Sequence, residues 1–368
     1  MIKNCYIHIP FCSSICSYCD FCKILYREDI VDKYLDNLEI EIKNNYREER
    51  LETIYIGGGT PSCLNIRQLN RLFSIIKIFN KADNLEFTIE CNFNSINKEK
   101  LDLFKKNGIN RISFGIETIN SKFYQFLNRY EDTSNIRKII DYCKNIGITN
   151  INVDLMYAFK NECLNDVERD LDFIFSLNIK HVSTYSLIIE ENTKLFIDGI
   201  KNISEDIDSD MYDLICKSMK SHNYLHYEIS NFSKIGYFSR HNLCYWNNVN
   251  YYGFGLGASS YIKNIRINNT KSITKYLNGE YILNEEVLDF KDIIEYYIIL
   301  GFRKCSGIDL QDFKFRYKQD LNYYYKYDKL VEDNLLILDN NLLYIPEDKL
   351  YLSNSIIVKI LEGEVKHE

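Results

Sequence analysis

Residues 6–22 read YIHIPFCSSICSYCDFC, and this stretch decides the fold. An apolar strand at 6–9 leads into a loop that carries Cys12, Cys16 and Cys19. Three thiolates on one short loop can converge on a single metal centre. Structural zinc normally takes four ligands, usually as two pairs well separated in sequence, and this chain lacks such a second pair. A cube of iron and sulfide accepts three cysteines and leaves one iron open, so the spacing predicts a 4Fe-4S cluster on these three residues.

Cys22 keeps a second kind of centre open, since it could supply a fourth ligand and close the cluster as a simple electron carrier. Chance clustering of reduced cysteines, or a zinc ion, is the remaining alternative. The chain has 12 cysteines, carries no secretion signal and is too long to need disulfide staples. We therefore expect reduced thiols and a cytoplasmic location.

The composition favours a large, compactly folded chain. Its 368 residues are 46% hydrophobic and 14% aromatic, which is ample for a packed interior. A formal net charge of -7 disfavours a general electrostatic grip on nucleic acid, because phosphate binding draws on clustered Lys and Arg. No stretch is uniformly apolar over a membrane-spanning length. We expect no nucleic-acid partner and no membrane span, and the choice between monomer and dimer stays open.

Apolar runs alternate with amphipathic stretches along the first two thirds of the chain. The runs that read as strands are 6–9, 53–56, 87–91, 111–116, 150–157 and 182–189, and the helical patterns are 66–79, 98–106 and 136–146. Alternating strands and helices predict an α/β fold, a parallel sheet closed into a partial or full (β/α) barrel. After about residue 262 the pattern changes to Tyr-rich helical segments at 293–300 and 317–332, which predicts a small, mainly helical C-terminal domain.

A glycine-rich turn follows the second predicted strand. Gly57, Gly58 and Gly59 precede Thr60, and glycines let the backbone approach a ligand closely and offer it peptide groups. A glycine triplet alone is often only a tight turn. Its place one strand–helix unit after the cysteine loop makes it a candidate binding segment.

Four charged residues lie within or near predicted strands, where a core position is normally apolar. They are Glu90, Glu117, Arg129 and Asp154. Because an uncompensated buried charge is costly, charges at the ends of successive strands suggest a shared polar cavity. A solvated strand end is the alternative for each one taken alone.

The segment SRHNLCYW, residues 239–246, contains the chain's single tryptophan. His241, Tyr245 and Trp246 could ligate a heme iron and stack against its ring. A hydrogen-bonded corner is the alternative for such an Arg-His-Asn cluster, and Cys244 is a second candidate ligand.

The stretch from Tyr6 to Phe21 resembles the opening of the radical SAM coproporphyrinogen III oxidase-like family, which includes HemW-type heme chaperones. In that family the open iron takes the amino and carboxyl groups of S-adenosylmethionine (SAM), and an electron from the cluster can cleave SAM to a deoxyadenosyl radical. The resemblance covers nearly the whole chain. It implies a radical SAM core domain over residues 1–262 and a HemN-like C-terminal domain over 263–368.

The resemblance also implies which residues contact the cluster-bound SAM. The matching positions are Tyr6 beside the cluster, Gly58, Gly59 and Thr60 at the methionine portion, and Glu90, Glu117, Arg129 and Asp154 at the ribose and carboxylate. This chain departs from the family at three places: Glu117 replaces a usual Gln, Phe93 a usual Pro, and Ala158-Phe159-Lys160 a Gly-Leu-Pro turn.

Two features imply the HemW branch of the family. His241 opens a His-Asn-x-x-Tyr-Trp motif typical of the heme chaperones, and Phe21 stands where the oxidases carry a cysteine. We therefore expect a protein that binds heme near His241 and passes it to an acceptor, such as a respiratory heme enzyme, which can be membrane-associated. The alternative is an oxygen-independent coproporphyrinogen III oxidase of porphyrin biosynthesis. Whether the chain is an enzyme stays open at this point.

Overall fold

A computed structural model describes residues 1–365. Its strands, in chain order, are β1 (Asn4–Ile9), β2 (Phe11–Cys12), β3 (Ile24–Leu25), β4 (Leu51–Gly58), β5 (Lys81–Asn92), β6 (Arg111–Glu117), β7 (Asn150–Tyr157), β8 (His181–Ser186), β9 (Leu225–Glu228), β10 (Asn231–Ser233), β11 (Tyr252–Phe254), β12 (Ser259–Ile262), β13 (Ile265–Asn269), β14 (Ile282–Val287), β15 (Ile308–Asp309), β16 (Ile337–Asp339) and β17 (Leu342–Tyr344).

The helices are α1 (Glu28–Asn45), α2 (Ile66–Ile76), α3 (Lys98–Lys106), α4 (Tyr124–Leu127), α5 (Thr133–Asn145), α6 (Leu164–Ser176), α7 (Lys194–Ile197), α8 (Glu205–Ser221), α9 (Arg240–Trp246), α10 (Ile273–Leu277), α11 (Phe290–Gly301), α12 (Leu310–Tyr317), α13 (Leu321–Tyr324), α14 (Asp328–Glu332) and α15 (Ser353–Glu362). Short 3₁₀ turns lie at Pro61–Cys63, Ser121–Phe123 and Glu347–Leu352. No helix within residues 1–365 is long and apolar enough to cross a membrane.

One nine-stranded sheet forms the body of the protein, with the order β11-β1-β4-β5-β6-β7-β8-β10-β9. Neighbours from β11 to β8 are parallel, and β10 and β9 complete the sheet in antiparallel pairs. The two edge strands do not pair with each other, so the barrel is open. The partial (β/α) barrel predicted from the alternating pattern is confirmed.

The barrel strands alternate apolar and polar side chains. In β6, Ile112 and Phe114 are buried in the hydrophobic core, whereas Arg111 and Ser113 line the barrel interior. This alternation follows from the two-residue period of a strand, which sends successive side chains to opposite faces. Further polar side chains that line the interior on neighbouring strands are Tyr55, Glu90, Asn152, Asp154, Ser183 and Tyr185. The barrel therefore encloses a polar space instead of the usual aliphatic layers.

Helix α9 packs against β4 at the end of the barrel opposite the cysteine loop. The buried Glu86 carboxylate accepts hydrogen bonds from the backbone N–H groups of Arg240 (3.0 Å) and His241 (2.9 Å). Acceptors of this kind satisfy the free N–H groups of a helix N-terminus, and a negative charge there also suits the helix dipole. Glu86 thus anchors α9 as the floor of the barrel.

The C-terminal part contains two small antiparallel sheets, β12-β13-β14 and β15-β17-β16, together with α11 to α15. The expected boundary at residue 262 falls between β12 and β13, which pair with each other, so the division into 1–262 and 263–368 stays a prediction. The end of α11 reaches the barrel floor, where the Arg303 guanidinium lies 5.2 Å from the Trp246 ring centroid. Apolar residues of both parts share one continuous core.

Two predicted elements differ from the structure. The strand expected at 182–189 ends at Ser186. The helical segment expected at 317–332 is wrong as one helix, because Lys318 adopts a left-handed φ of 65° at the end of α12 and Tyr325 is extended (φ -139°, ψ 120°) between α13 and α14. A left-handed residue cannot continue a right-handed helix.

Ala158, at the end of β7, also has a left-handed φ, of 69°. Glycine tolerates this conformation, whereas an alanine pays a steric penalty. We expect Ala158→Gly to raise the free energy of unfolding by about 1 kcal/mol, measured by urea denaturation. Ala258→Gly is the matched control, because Ala258 is also 2% exposed but does not have a positive φ. A similar loss of stability in both variants would contradict the strain at Ala158.

Candidate functional site

A cavity of about 1030 Å³ opens at the carboxyl ends of the parallel strands and extends down the barrel interior. Ten of the residues singled out in the sequence line it: Cys12, Cys16, Cys19, Gly58, Gly59, Thr60, Glu90, Glu117, Arg129 and Asp154. Two others do not. Tyr6 lines a separate, smaller cleft, and His241 is buried in the floor of the barrel.

The cysteine loop is held at the cavity mouth by backbone contacts. The Ser17 N–H donates to the Leu127 carbonyl at 3.0 Å, and the Asn128 side-chain amide donates to the Ile15 carbonyl at 2.9 Å. The Thr60 hydroxyl lies 3.7 Å from the Cys12 sulfur. These contacts tie the loop to the glycine-rich turn and to the segment after β6.

Burial shapes the thiol chemistry of the loop. It raises the pKa of Cys12, and it raises the pKa of Cys19 to about 11, so these thiols are protonated at neutral pH without a metal. Iron binding stabilises the thiolate form directly. Within residues 1–365 no three His, Cys, Asp or Glu side chains are grouped to hold one metal ion. A cluster spaces its thiolates more widely than a single ion does, and the assignment of these cysteines as its ligands stays a prediction.

The glycine-rich turn packs so closely that a side chain at Gly58 or Gly59 would collide with its neighbours. A Cβ on Gly59 would lie 2.8 Å from the Phe11 carbonyl oxygen and 2.9 Å from the Cys12 sulfur. Gly58 has a φ of 118° and would place its Cβ 2.6 Å from the His8 ring. Only glycine fits both positions, so the backbone lies bare against the cavity beside Cys12. Three thiols beside backbone without side chains are suited to hold a cluster whose open iron binds the amino and carboxyl groups of an amino acid.

Two groups on β4 hold the Glu90 side chain by hydrogen bonds. Its carboxylate accepts hydrogen bonds from the Tyr55 hydroxyl at 2.8 Å and from the Gly58 N–H at 3.0 Å. Burial, followed by the nearby Asp154 charge, raises the pKa of Glu90 to about 7 against the opposing hydrogen bonds. Asp154 lies deeper, and its carboxylate accepts a hydrogen bond from the Asn152 amide at 2.8 Å. Burial raises the pKa of Asp154 too.

Glu117 and Arg129, which the resemblance assigns to separate SAM contacts, form an ion pair of 3.0 Å with each other. Arg129 also pairs with Glu131 at 2.8 Å and donates to the Gly115 carbonyl at 2.6 Å. The Tyr18 hydroxyl donates to Glu117 at 3.1 Å. Burial raises the pKa of Glu117, and the Arg129 charge opposes that rise. A Gln at 117 would leave the arginine with one fewer negative partner, so the Glu in this chain changes the charge of the cavity wall.

Tyr6 and Cys22 lie in a second cleft, outside the cavity that the three cysteines share. The Tyr6 hydroxyl is 3.0 Å from His8 Nδ1, and His8 Nε2 is 2.7 Å from the Cys22 carbonyl oxygen. Cys22 lines this cleft with Tyr245 and Gly257. The placement favours three cluster ligands over four, since Cys22 does not line the cavity of Cys12, Cys16 and Cys19.

The His241 ring is 1% exposed and both its nitrogens have partners. Nδ1 lies 2.8 Å from the Thr53 hydroxyl, and Nε2 lies 2.9 Å from the Tyr245 hydroxyl. Because Thr53 donates to Asn4, its oxygen accepts from Nδ1–H, which leaves Nε2 as the acceptor from Tyr245. Burial, followed by the charge of Arg111, lowers the pKa of His241 to about 3. The imidazole is therefore neutral, the form that binds iron, but its lone pair is occupied.

The cavity is also lined by four interior residues that were not predicted from the sequence: Arg111, Asn152, Ser183 and Tyr185. A signal for them exists, because polar residues recur at every second position in the strands that carry them. The amide of Asn242, on α9, also lines the cavity, which shows that the space reaches the floor.

Models of known protein families match two parts of this chain. A model of the radical SAM superfamily matches residues 6–174, and one of the HemN C-terminal domain matches 288–348. The heme chaperone HemW of Lactococcus lactis is 36% identical over 99% of this chain and 98% of that protein. HemW of Bacillus subtilis is 33% identical over the same shares.

The fold is shared with a solved structure, coproporphyrinogen III oxidase (HemN) from Escherichia coli, described as a radical SAM enzyme. The TM-score is 0.87 at 21% identity, and the match covers 98% of this chain and 90% of that one. At this identity the likeness concerns the fold, which confirms a radical SAM barrel with a C-terminal domain. Cavity, fold and full-length relatives agree, and the chain belongs to the HemW family of the radical SAM superfamily.

Proposed function

We propose that this protein binds heme and transfers it to an acceptor protein, and that its barrel cavity holds a 4Fe-4S cluster and SAM. The observation that carries the proposal is that relatives named heme chaperone HemW align with this chain over nearly its whole length and nearly the whole of their own. The supporting geometry is the single cavity that collects the cysteines, the bare glycine backbone and the buried charges. We also propose a cytoplasmic location, where its 12 free thiols stay reduced.

In this proposal Cys12, Cys16 and Cys19 hold the cluster. When bound, the cluster supplies an open iron for SAM and an electron for its cleavage. Gly58 and Gly59 offer backbone to the amino-acid end of SAM. Glu90, Asp154 and the Glu117–Arg129 pair line the wall against which the rest of SAM lies, and Tyr6 packs behind the loop through His8.

We place heme near the floor, with His241 as its axial ligand. The neutral imidazole suits iron, but Nε2 must first lose its hydrogen bond to Tyr245. Cys244 is the alternative ligand. It is 5% exposed, and burial raises the pKa of its thiol far above the ordinary value, so a thiolate there is disfavoured.

Heme titration of the anaerobically reconstituted chain tests this assignment. We expect saturable binding with a Soret band, and at least tenfold weaker binding with a shifted band for His241→Ala. His222→Ala is the matched control, because His222 is exposed at the end of α8. Thermal melting shows whether each variant is folded. Unchanged affinity and spectrum in folded His241→Ala would exclude this ligand.

The function itself is tested by transfer and by turnover. Heme-loaded protein should deliver heme to a heme-free respiratory cytochrome, read from the acceptor's absorbance spectrum. The same protein, given SAM, a low-potential reductant and coproporphyrinogen III, should form no protoporphyrinogen. Robust protoporphyrinogen formation would make the chain an oxidase and overturn the chaperone proposal.

A further inference from the structure

Arg111 is a buried cation at the start of β6 that the cluster and SAM assignments leave unused. Its side chain lines the deep part of the cavity and is 2% exposed. Its Nε has no hydrogen-bond partner within residues 1–365. The two ion pairs of the cavity wall belong to Arg129. A charged N–H group withdrawn from water without an acceptor is costly, so the unpaired Nε suggests a ligand that supplies one.

The residues beside Arg111 on the neighbouring strands share this lack of partners. Thr88 on β5 and Asn150 on β7 are its cross-strand neighbours and lie on the same face of the sheet. Thr88 Oγ1 and Asn150 Oδ1 are buried and also lack hydrogen-bond partners in the described chain. The three side chains form one row, the Arg111 row, in which the unpaired atoms are a guanidinium nitrogen, a hydroxyl and an amide oxygen, and only the first of these carries a positive charge.

The Arg111 guanidinium forms no ion pair with a carboxylate within residues 1–365. Its field contributes to the lowered pKa of both His181 and His241, and burial is the larger cause in each case. Both rings are consequently neutral. Tyr55 and Tyr227 also lie within reach of its charge, and burial raises the pKa of each. The charge of Arg111 opposes the rise that burial causes in the pKa of Asp154, and that carboxylate accepts its hydrogen bond from the Asn152 amide.

The Arg111 row is too deep to be the carboxylate site of SAM. Arg111 and Glu117 are six residues apart on β6, which corresponds to about 20 Å of strand. Glu117 and Arg129 lie at the mouth, beside the cysteine loop. A single amino-acid group cannot occupy both ends, so the cavity has a second anionic subsite.

We propose that Arg111 binds a carboxylate arm of a tetrapyrrole, such as a heme propionate. The proposal rests on the proposed function, because heme is the cargo whose carboxylates would reach this depth. Carboxylate is the chemistry that a guanidinium fork binds best. Asn242, on the helix of the predicted heme ligand, lines the same cavity, so the subsite opens onto the space next to α9.

The probe is iron-free protoporphyrin IX, compared with its dimethyl ester, because neither needs an axial ligand. With cluster-loaded protein and SAM, fluorescence titration should show the diacid binding at least about tenfold more tightly than the diester, the effect of one charge-assisted hydrogen bond. In Arg111→Gln this preference should fall below about threefold, and Arg111→Lys should keep part of it. Arg169→Gln, a side chain 73% exposed on α6, should bind like the wild type.

Three results would overturn the inference. These are equal binding of diacid and diester by the wild type, binding of neither, and a loss of SAM affinity in Arg111→Gln as large as the loss of diacid affinity. The wild-type comparison needs no variant, so misfolding of Arg111→Gln does not rescue the inference. If the protein prefers the diacid but transfers no heme, the chaperone proposal is contradicted and the inference about Arg111 is not.

Discussion

Replacing Cys12 with alanine should remove nearly all the iron and acid-labile sulfide that the anaerobically reconstituted chain binds. Cys16→Ala and Cys19→Ala should do the same, because a cluster with three protein ligands is not retained on two. Cys22→Ala should keep its iron, since Cys22 lines a different cleft. The measurements are iron and sulfide content per chain and the visible absorbance of the cluster.

Cys163→Ala is the matched control, because Cys163 is an exposed thiol remote from the loop in sequence. Loss of iron in Cys22→Ala would contradict the three-ligand assignment and favour a closed electron-transfer cluster. Full iron content in Cys12→Ala would show that the metal is held elsewhere. Either outcome is independent of heme binding and of SAM cleavage.

Arg129→Gln should lower the free energy of unfolding by about 3–5 kcal/mol at pH 8, because it leaves two buried carboxylates without their cation. Side chains of Arg129, Glu117 and Glu131 are 10%, 10% and 0% exposed, so water cannot replace the lost partner. Urea unfolding of the apo chain measures the effect without cluster or SAM. Arg50→Gln is the matched control, since its ion pair with Asp83 is exposed.

The destabilisation should shrink as the pH falls. Burial already raises the pKa of Glu131 to about 7 and that of Glu117 above its ordinary 4.5, and removing Arg129 raises both further. Groups whose pKa is higher in the folded state add stability at low pH and lose it as the pH rises through the folded pKa. The loss in Arg129→Gln should therefore be smaller at pH 5.5 than at pH 8. An equal loss at both values would contradict burial of the two carboxylates.

The barrel could be predicted from the sequence because its strands have residue patterns that are recognisable locally. The strands predicted at 111–116 and 150–157 match β6 and β7 closely, because a run of β-branched residues between polar turns is a strong local signal for a strand. The end of the helix at Tyr317 was not predictable in the same way. Lys318 takes a left-handed φ although its side chain gives no local sign of it.

The candidate site was predicted as a set of residues but not as a set of contacts. Cysteine spacing and glycines identify the mouth of the cavity, because both are sequence-local features. The pairing of Glu117 with Arg129 depends on how the chain returns after β6, and the isolation of Tyr6 from the cavity depends on the packing of His8. Long-range geometry of this kind leaves no trace in spacing. The interior position of Arg111, in contrast, does have a sequence signal, which is the two-residue period of polar side chains in β6.

If heme binds His241 as proposed, the hydrogen bond between Nε2 and Tyr245 makes heme affinity depend on an equilibrium between a closed and an open floor. Breaking this bond costs about 1 kcal/mol, so the open form would be a minor population of roughly 15%. The apparent affinity is then reduced by that fraction. Any partner that favours the closed floor would expel heme without touching it, and release could be driven from outside the cavity.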